Sequence, residues 1–246
     1  MTGSNYFGLF LFFILTLVSE ILGTLGGFGS SLFFVSLSQF FFDFQTVLAL
    51  TGLLHVFSNV AKIILFRKTI DWKLVLWLGV ASTLFAIGGS YLTAHVDLHY
   101  AHLVLGIFLI VLSIFFYWKP DFSVGATLKN SVIGGSLAGF LAGFIGTGGA
   151  IRGLILTSFN LEKNFLVGTS AAIDFGVDVS RTFIYLENQY LEKNMWIYIP
   201  ALIAASFLGS YLGKVLLSHI SQETFRKILL ILVFIMGVFL VAGWDR

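Results

Sequence analysis

The chain has no cysteine, only two prolines and few charged residues. Without cysteine it can form neither a disulfide nor a thiolate metal site. Charged residues make up 11% of the 246 positions, the formal net charge is +2 and there is no basic tract, so nucleic acid is not an expected partner. Metal-ligand spacings and nucleotide-binding glycine loops are missing as well, so the sequence predicts no cofactor and does not favour an ATP-driven pump.

Apolar residues are abundant: 58% of the chain is hydrophobic and the mean hydropathy is +0.97. A water-soluble protein of this length would expose a large apolar surface. The apolar blocks are continuous and approach the roughly 20 residues that a helix needs to cross a bilayer, and they lack the alternation of barrel strands. The sequence therefore predicts an all-α polytopic integral membrane protein, whose partner is the lipid bilayer of a prokaryotic cytoplasmic (inner) membrane.

The beginning of the chain, "MTGSNYFGLF", has neither the positive n-region nor the small-residue cleavage site of a removable signal peptide. We therefore expect the first apolar block to remain as a membrane span.

The apolar blocks form a set of five that is used twice. They fall at 6–25, 30–42, 45–66, 72–94, 100–118, 126–145, 150–160, 165–186, 194–217 and 224–244. The segment "GGSYL" recurs as "LGSYL" at an offset of 120, and the glycines of "GGFG" recur in "GTGG" at the same offset. We expect two transmembrane repeats, 1–120 and 121–246, within one membrane domain.

Charges in the connectors predict how the repeats are oriented. Connector 67–73 carries three Lys or Arg and one Asp, whereas its counterpart 187–193 carries one Lys and two Glu. Because Lys and Arg mark cytoplasmic loops, the two connectors are expected on opposite sides of the membrane. This requires an odd number of crossings per repeat, and hence inverted topology, with both termini outside.

Two blocks are too short to be simple spans. Blocks 30–42 and 150–160 cannot cross about 30 Å of hydrocarbon as helices, and each follows a glycine cluster. We expect a helix that breaks at the glycines near the membrane midplane and restarts as a short helix. Short, glycine-interrupted segments at corresponding places in two halves are typical of a transporter's binding site.

Ionisable residues lie inside the eighth block. Asp174, Asp178 and Arg181 are spaced i, i+4 and i+7, so they share one face of a helix. At an offset of 119, the first repeat holds His55, Asn59 and Lys62. Ionisable residues within a membrane usually face the bundle interior and indicate function. The candidates for charge balance or proton coupling are Glu20, His55, Asp174 and Asp178.

Structural interpretations of these residues stay open. Asp178 and Arg181 can neutralise each other within one helix. Asp174 has no cation at a helical neighbour position, so it needs another partner or carries a proton. Glu20 can instead lie near a membrane interface, and a buried His55 can be satisfied by one hydrogen bond.

The glycine clusters predict an anion site. Helix N-termini carry free N–H groups and partial positive charge, and glycine lets an anion approach them. Arg152, expected in the first turn of the second short helix, can bind an oxyanion with two hydrogen bonds. The candidate substrate-binding residues are Gly26, Gly27, Gly29, Ser30, Asn59, Lys62, Gly146, Thr147, Gly148, Gly149, Arg152 and Arg181. The alternative, that the glycines only permit close helix packing, is favoured for Gly135, Gly139 and Gly143.

Signals for membrane-embedded enzymes are weak. A rhomboid-like protease needs a serine nucleophile and a histidine on another helix, and "GFGSS" with His55 supplies only the residue types. An aspartyl protease needs two opposed aspartates, but Asp174 and Asp178 share one helix turn. An enzyme is therefore not expected.

The chain resembles the sulfite exporter TauE/SafE family, also called the toluene sulfonate uptake permease family. The resemblance rests on "GTLGGFGSSLFF" with "VLALTGLLHVFSNVAKIILF", on "GFIGTGGAIRGLIL" with "FLVGTSAAIDFGVDVSRTFIYL", and on the two "GSYL" segments. It implies two repeats around a central pathway and small sulfur-containing anions as substrates. The chain departs from the family pattern in having no proline soon after either glycine cluster.

The expected function is a secondary transporter of small sulfur-containing oxyanions, such as sulfite, thiosulfate or organosulfonates. It would work by alternating access, with proton coupling as an option. The alternatives are a passive anion channel, a non-transporting membrane subunit and a membrane-embedded enzyme. We expect the chain to act as a monomer or a homodimer.

Overall fold

The fold is helical in all of the described regular structure. The computed structural model describes residues 3–27, 29–38, 41–93, 99–145 and 148–242. The helices are α1 (Gly3–Gly26), α2 (Ser31–Ser38), α3 (Phe44–Leu65), α4 (Trp72–Leu74), α5 (Val80–Thr93), α6 (His99–Trp118), α7 (Leu128–Ile145), α8 (Gly148–Ser158), α9 (Lys163–Glu187), α10 (Ile199–His219) and α11 (Gln222–Ala242). A π-helical turn, Val75–Gly79, joins α4 to α5, so these form one continuous helical run.

The ten predicted apolar blocks correspond to these helices, with α4 and α5 together forming the fourth block. Among the residues that the structure describes, five spans are long and apolar enough to cross a membrane: Gly8–Gly26, Gln45–Leu65, Trp72–Gly89, Met195–His219 and Gln222–Ala242. The central helix α9 has 25 residues, and at 1.5 Å per residue it extends about 37 Å, which also matches the hydrocarbon thickness. The all-α polytopic membrane fold is confirmed.

The first glycine cluster interrupts the helical structure between α1 and α2. Gly27 and Gly29 adopt φ angles of 76° and 105°, in the left-handed region that glycine enters without strain. The following helix α2 has only 8 residues and is about 12 Å long, while α8 after the second cluster has 11 residues and is about 17 Å long. Both are too short to span the membrane, as the sequence predicted.

Asp43 fixes the beginning of α3. Its carboxylate accepts hydrogen bonds from the Thr46 backbone N–H at 3.0 Å and from the Thr46 hydroxyl at 2.7 Å. These bonds satisfy an N–H group that has no partner within the helix, and they hold the pKa of Asp43 below its usual value. The cap therefore fixes the residue at which α3 begins.

Helices from the first half of the chain pack against helices from the second half. Helix α5 lies on α7, and α10 lies on α1. A Cβ at Gly89 would collide with the Phe140 carbonyl oxygen, and a Cβ at Gly209 would lie 2.6 Å from the Cβ of Glu20. Gly89 and Gly209 are equivalent at the offset of 120, and so are Phe140 and Glu20, which means that the two contacts correspond. A duplication would produce this packing, and the duplication itself stays a prediction.

Two glycines of α7 permit the close approach of α7 to the fourth helical run. A Cβ at Gly135 would collide with the Leu78 carbonyl oxygen, and a Cβ at Gly139 would collide with that of Ser82. These two glycines therefore serve close packing, which is the interpretation favoured from the sequence.

Helices α3 and α9 form the antiparallel centre of the molecule. Gly52 contacts Thr182, Asn59 contacts Asp178, and Phe66, directly after α3, contacts Gly168. The residue numbers on α9 therefore fall as those on α3 rise. The two helices therefore run in opposite directions. An inverted pair of repeats requires this arrangement of its equivalent helices, although the inversion stays a prediction.

Apolar clusters lie on either side of a polar band along α3. Leu50 and Leu54 pack in a cluster with Phe12 and Phe34, while Phe66 belongs to a second, larger cluster. The polar residues His55, Ser58, Asn59 and Lys62 lie between these two clusters along α3. The fold thus surrounds a short polar region at the centre with apolar packing.

Two adjacent glycines of α5 test the close packing of the halves. We expect Gly89→Ala to destabilise the protein by about 1–3 kcal/mol, because its Cβ has no space against α7. Gly88→Ala is the matched control, since a Cβ there meets nothing within 4 Å and alanine favours helix. Thermal unfolding of the purified variants in detergent measures both changes, and equal midpoints for the two variants would contradict the packing described.

Candidate functional site

Glu20 of α1 is the first component of the central site. Its side chain is fully buried, and one carboxylate oxygen accepts the hydroxyl hydrogen bond of Ser30, which follows the glycine break. The other oxygen accepts from Ser58 at 2.5 Å and from Lys62 Nζ at 3.3 Å. Lys62 Nζ also donates to Ser58 Oγ at 2.6 Å. Glu20 therefore lies in the protein interior with a cation beside it, while its depth in the membrane stays a prediction.

Asp178 forms the second component, where α3 meets α9. Arg181 NH2 lies 2.7 Å from Asp178 Oδ1, and Asn59 Nδ2 donates to Asp178 Oδ2 at 2.7 Å. His55 Nδ1 lies 3.5 Å from the same Oδ2. The carboxylate thus contacts three polar side chains, two of which come from the other half of the chain.

His55 is oriented by Arg181. The two side chains approach to 3.2 Å between His55 Nδ1 and Arg181 NH2. Nδ1 thus lies between a guanidinium nitrogen, which only donates hydrogen bonds, and the Asp178 carboxylate, which only accepts them. The second ring nitrogen of His55 is Nε2. That Nε2 is buried and has no hydrogen-bond partner among the described residues. His55 therefore has one ring nitrogen that no described residue contacts by a hydrogen bond.

Arg152 of α8 and Asp174 of α9 form the third component. An Arg152 nitrogen makes an ion pair with Asp174 Oδ1, and Ser170 donates to Asp174 Oδ2 at 3.2 Å. Arg152 is only 2% exposed. It is the fifth residue of α8, so it lies at the start of the second turn and not in the first turn as expected. The partner that Asp174 required is therefore a cation from another helix.

The charges of the central site balance within the part of the chain that the structure describes. Its three cations each form an ion pair with one carboxylate, as Lys62–Glu20, Arg152–Asp174 and Arg181–Asp178. Pairing of this kind compensates the large free-energy cost of burying charge away from water. The site as a whole is neutral when all six groups are ionised.

The described residues of the central site border two small cavities. The arginine cavity, of about 20 Å³, is bordered by Arg152, Arg181, His55, Asp178 and the backbone of Gly148 and Gly149. The lysine cavity, of about 10 Å³, is bordered by Lys62, Asn59, Ser170, Gly27 and Gly29. Asp174 borders both cavities. A single water molecule needs about 10–15 Å³ measured in this way, so neither cavity has room for an oxyanion.

Hydrogen-bond donors remain free in the arginine cavity. Arg152 Nε and Arg181 Nε are buried and, like His55 Nε2, find no hydrogen-bond partner among the described residues. Buried donors are nearly always satisfied in native proteins. Unsatisfied guanidinium donors on two arginines that border one cavity indicate a place where an acceptor binds.

Most of the predicted site residues come together here. Gly26 ends α1 and is buried next to the break, and Gly148 and Gly149 begin the described part of α8. Ser30 donates to Glu20, so its hydroxyl is not free for an anion. Gly146 and Thr147 lie outside the described residues.

Two serines of the site were missed by the sequence reasoning. Ser58 lies between Glu20 and Lys62, and Ser170 donates to Asp174. Each serine stands four residues before an ionisable residue of the same helix, at 58 and 62 and at 170 and 174. This spacing brings side chains together on a helix, and it was the available signal.

Comparison with known proteins agrees with the helical membrane architecture. The family model for the sulfite exporter TauE/SafE matches residues 11–240, which is nearly the whole chain. No curated protein and no solved structure matches the chain. Since the family match includes every helix of the central site, the resemblance found in the sequence is confirmed. The protein belongs to the sulfite exporter TauE/SafE family of membrane transporters.

Proposed function

We propose that the protein carries a small sulfur-containing oxyanion, such as sulfite, thiosulfate or an organosulfonate, across the membrane by alternating access. Family membership supports this substrate class. The observation that carries the proposal is the pair of arginines, Arg152 and Arg181, that border one cavity, each with a free Nε–H group. Guanidinium groups bind oxyanions through charge-assisted hydrogen bonds, often two at a time.

Substrate binding requires a rearrangement of the site. The arginine cavity has a volume of only about 20 Å³, and apolar clusters lie on both sides of the polar band. An oxyanion can therefore enter only if helices separate on one side of the membrane. Movement of one half against the other around a central site is the usual form of such a cycle.

Charge balance supports coupling to protons. Each cation of the site already has a carboxylate partner, so an added anion would leave a net negative charge in a low-dielectric interior. Protonation of one carboxylate removes that charge and releases its cation. We therefore infer that an anion and a proton occupy the site together.

Asp174 is the carboxylate best suited to accept this proton. Its side chain is 15% exposed, compared with 0% for Glu20 and 4% for Asp178. It borders both cavities, whereas Asp178 contacts three side chains at once. Protonated Asp174 would release Arg152 to the substrate.

We further propose that the protein lies in the cytoplasmic (inner) membrane of a prokaryote with both termini outside. Connector 67–73, which carries three Lys or Arg, would face the cytoplasm. Labelling of single cysteines introduced on either side of the membrane tests this orientation, because the chain has none of its own.

Removal of Arg152 tests the substrate-binding role. Loss of a hydrogen bond to a charged group costs about 1.5–3 kcal/mol, so we expect Arg152→Gln to reduce organosulfonate counterflow into proteoliposomes by roughly 10- to 100-fold. The same change leaves Asp174 buried without its partner and should lower stability.

The double variant Arg152→Gln/Asp174→Asn separates function from structure. It removes both charges, so thermal stability should return towards that of the wild type while counterflow stays low. Recovery of counterflow together with stability would show that the ion pair is only structural. The exposed pair Glu223 and Lys227, 2.7 Å apart, supplies the control Glu223→Gln/Lys227→Gln, which should transport normally. Large passive currents without counterflow would instead indicate a channel.

A second prediction concerns the coupling proton. With a sulfonate, whose charge stays constant between about pH 5 and 8, wild-type flux should rise as the pH falls, because protonation of Asp174 frees Arg152. Asp174→Asn imitates the protonated state, so its flux should become independent of pH. A proteoliposome assay at several pH values measures both profiles. A pH profile of Asp174→Asn that parallels the wild type would exclude Asp174 as the coupling residue.

A further inference from the structure

A second, larger pocket opens where α3 ends. It has a volume of about 710 Å³, and its border includes Arg67, Lys68 and Lys214 together with the apolar residues Ile64 and Leu65. We call it the basic pocket. It lies between the end of α3, the beginning of α9 and the last turns of α10, and therefore at a seam between the two halves of the chain.

The cations of the basic pocket differ from those of the central site because they have no anionic partner. No ion pair joins Arg67, Lys68 or Lys214 to a carboxylate within the described ranges of the chain. Nearby acidic groups are engaged elsewhere: Asp71 accepts from backbone N–H groups of α4, and Glu162 accepts from the amide of Asn164. The border of the pocket thus holds three cations and no carboxylate.

Two contacts hold the Lys214 side chain in place at the border of the basic pocket. Its Nζ donates to the Leu65 carbonyl oxygen at 2.6 Å and lies 5.3 Å from the centre of the Phe66 ring. An ammonium group has three donors, so two of them remain for a ligand. Phe66 is only 3% exposed and separates the pocket from Lys62, one helix turn earlier.

The border of the basic pocket is apolar as well as charged. Ile64 is 56% exposed at the end of a membrane span, where an apolar side chain contacts lipid acyl chains. Exposed Arg67 and Lys68 follow within one turn of chain. A ligand that fits both must combine a negative group with a hydrocarbon part.

The size of the pocket also favours an amphipathic ligand. At about 710 Å³ it lies in the range of sites for organic molecules, about 300–1,000 Å³. An inorganic oxyanion would fill a small part of it and make no use of the apolar border. Basic pockets between membrane helices are suited to phospholipid head groups, which bring phosphate and acyl chains together.

We propose that the basic pocket binds the phosphate head group of an anionic phospholipid, with an acyl chain along Ile64. The phosphate contacts Arg67, Lys68 and the free donors of Lys214, and the lipid bridges α3 and α10. This proposal does not depend on transport or on the substrate of the central site.

Lipid binding to the purified full-length protein tests the proposal. Native mass spectrometry and thermal unfolding in detergent are carried out with phosphatidylglycerol and with phosphatidylcholine of the same acyl chains. We expect one tightly retained phosphatidylglycerol per chain and greater thermal stabilisation by it than by phosphatidylcholine. For Arg67→Gln/Lys68→Gln, affinity should fall about fivefold for each cation, and so roughly 25-fold in total.

The matched control is Lys119→Gln/Lys129→Gln, which removes two exposed cations outside the pocket. This variant should bind phosphatidylglycerol like the wild type, and an equal loss of affinity would overturn the proposal in favour of general surface attraction. Equal binding of phosphatidylcholine would also overturn it. Inorganic phosphate and sulfite form the third arm, and stabilisation by either at the same concentration would identify a free-anion site instead of a lipid site.

Discussion

The compensation of buried charge is the constraint on which the centre of this protein depends. A single ionised group in a low-dielectric interior is very costly, so each carboxylate must meet a cation. Two of the three ion pairs join different helices: Glu20–Lys62 links α1 to α3, and Arg152–Asp174 links α8 to α9. The requirement for charge compensation therefore also determines which helices must lie together.

The glycine break is part of the same arrangement. A Cβ at Gly23 would lie 2.5 Å from the backbone nitrogen of Ser30, so only glycine lets the chain return so closely to α1. Positive φ angles at Gly27 and Gly29 complete this return and bring the Ser30 hydroxyl to Glu20. The backbone at this break, which was expected to bind an anion, thus also brings a hydroxyl hydrogen bond to the Glu20 carboxylate.

Periodicity and length predicted the helices, the break between α1 and α2 and the polar face of α9, because these are local properties. The ion pair of Asp178 with Arg181 was also foreseen, as the structural interpretation of these residues. It depends only on local geometry, because a helix brings residues three positions apart together. The partner of Asp174 was not predictable from one sequence, because Arg152 lies on another helix. The partners of Glu20 were not predictable either. Ser30 follows the glycine break and Ser58 and Lys62 belong to α3, so only the packing of these segments brings them to Glu20.

The hydrogen bond between Asn59 and Asp178 joins positions that correspond in the two halves. In the predicted inverted repeat, two such positions in contact would lie on the axis that relates the halves, where each residue meets its own counterpart. An assembly of two second halves would bring Asp178 against another Asp178, and the two carboxylates would repel each other. An assembly of two first halves would bring two asparagines together and leave no carboxylate there. Under the predicted repeat, the unlike pair would therefore make the two halves non-interchangeable.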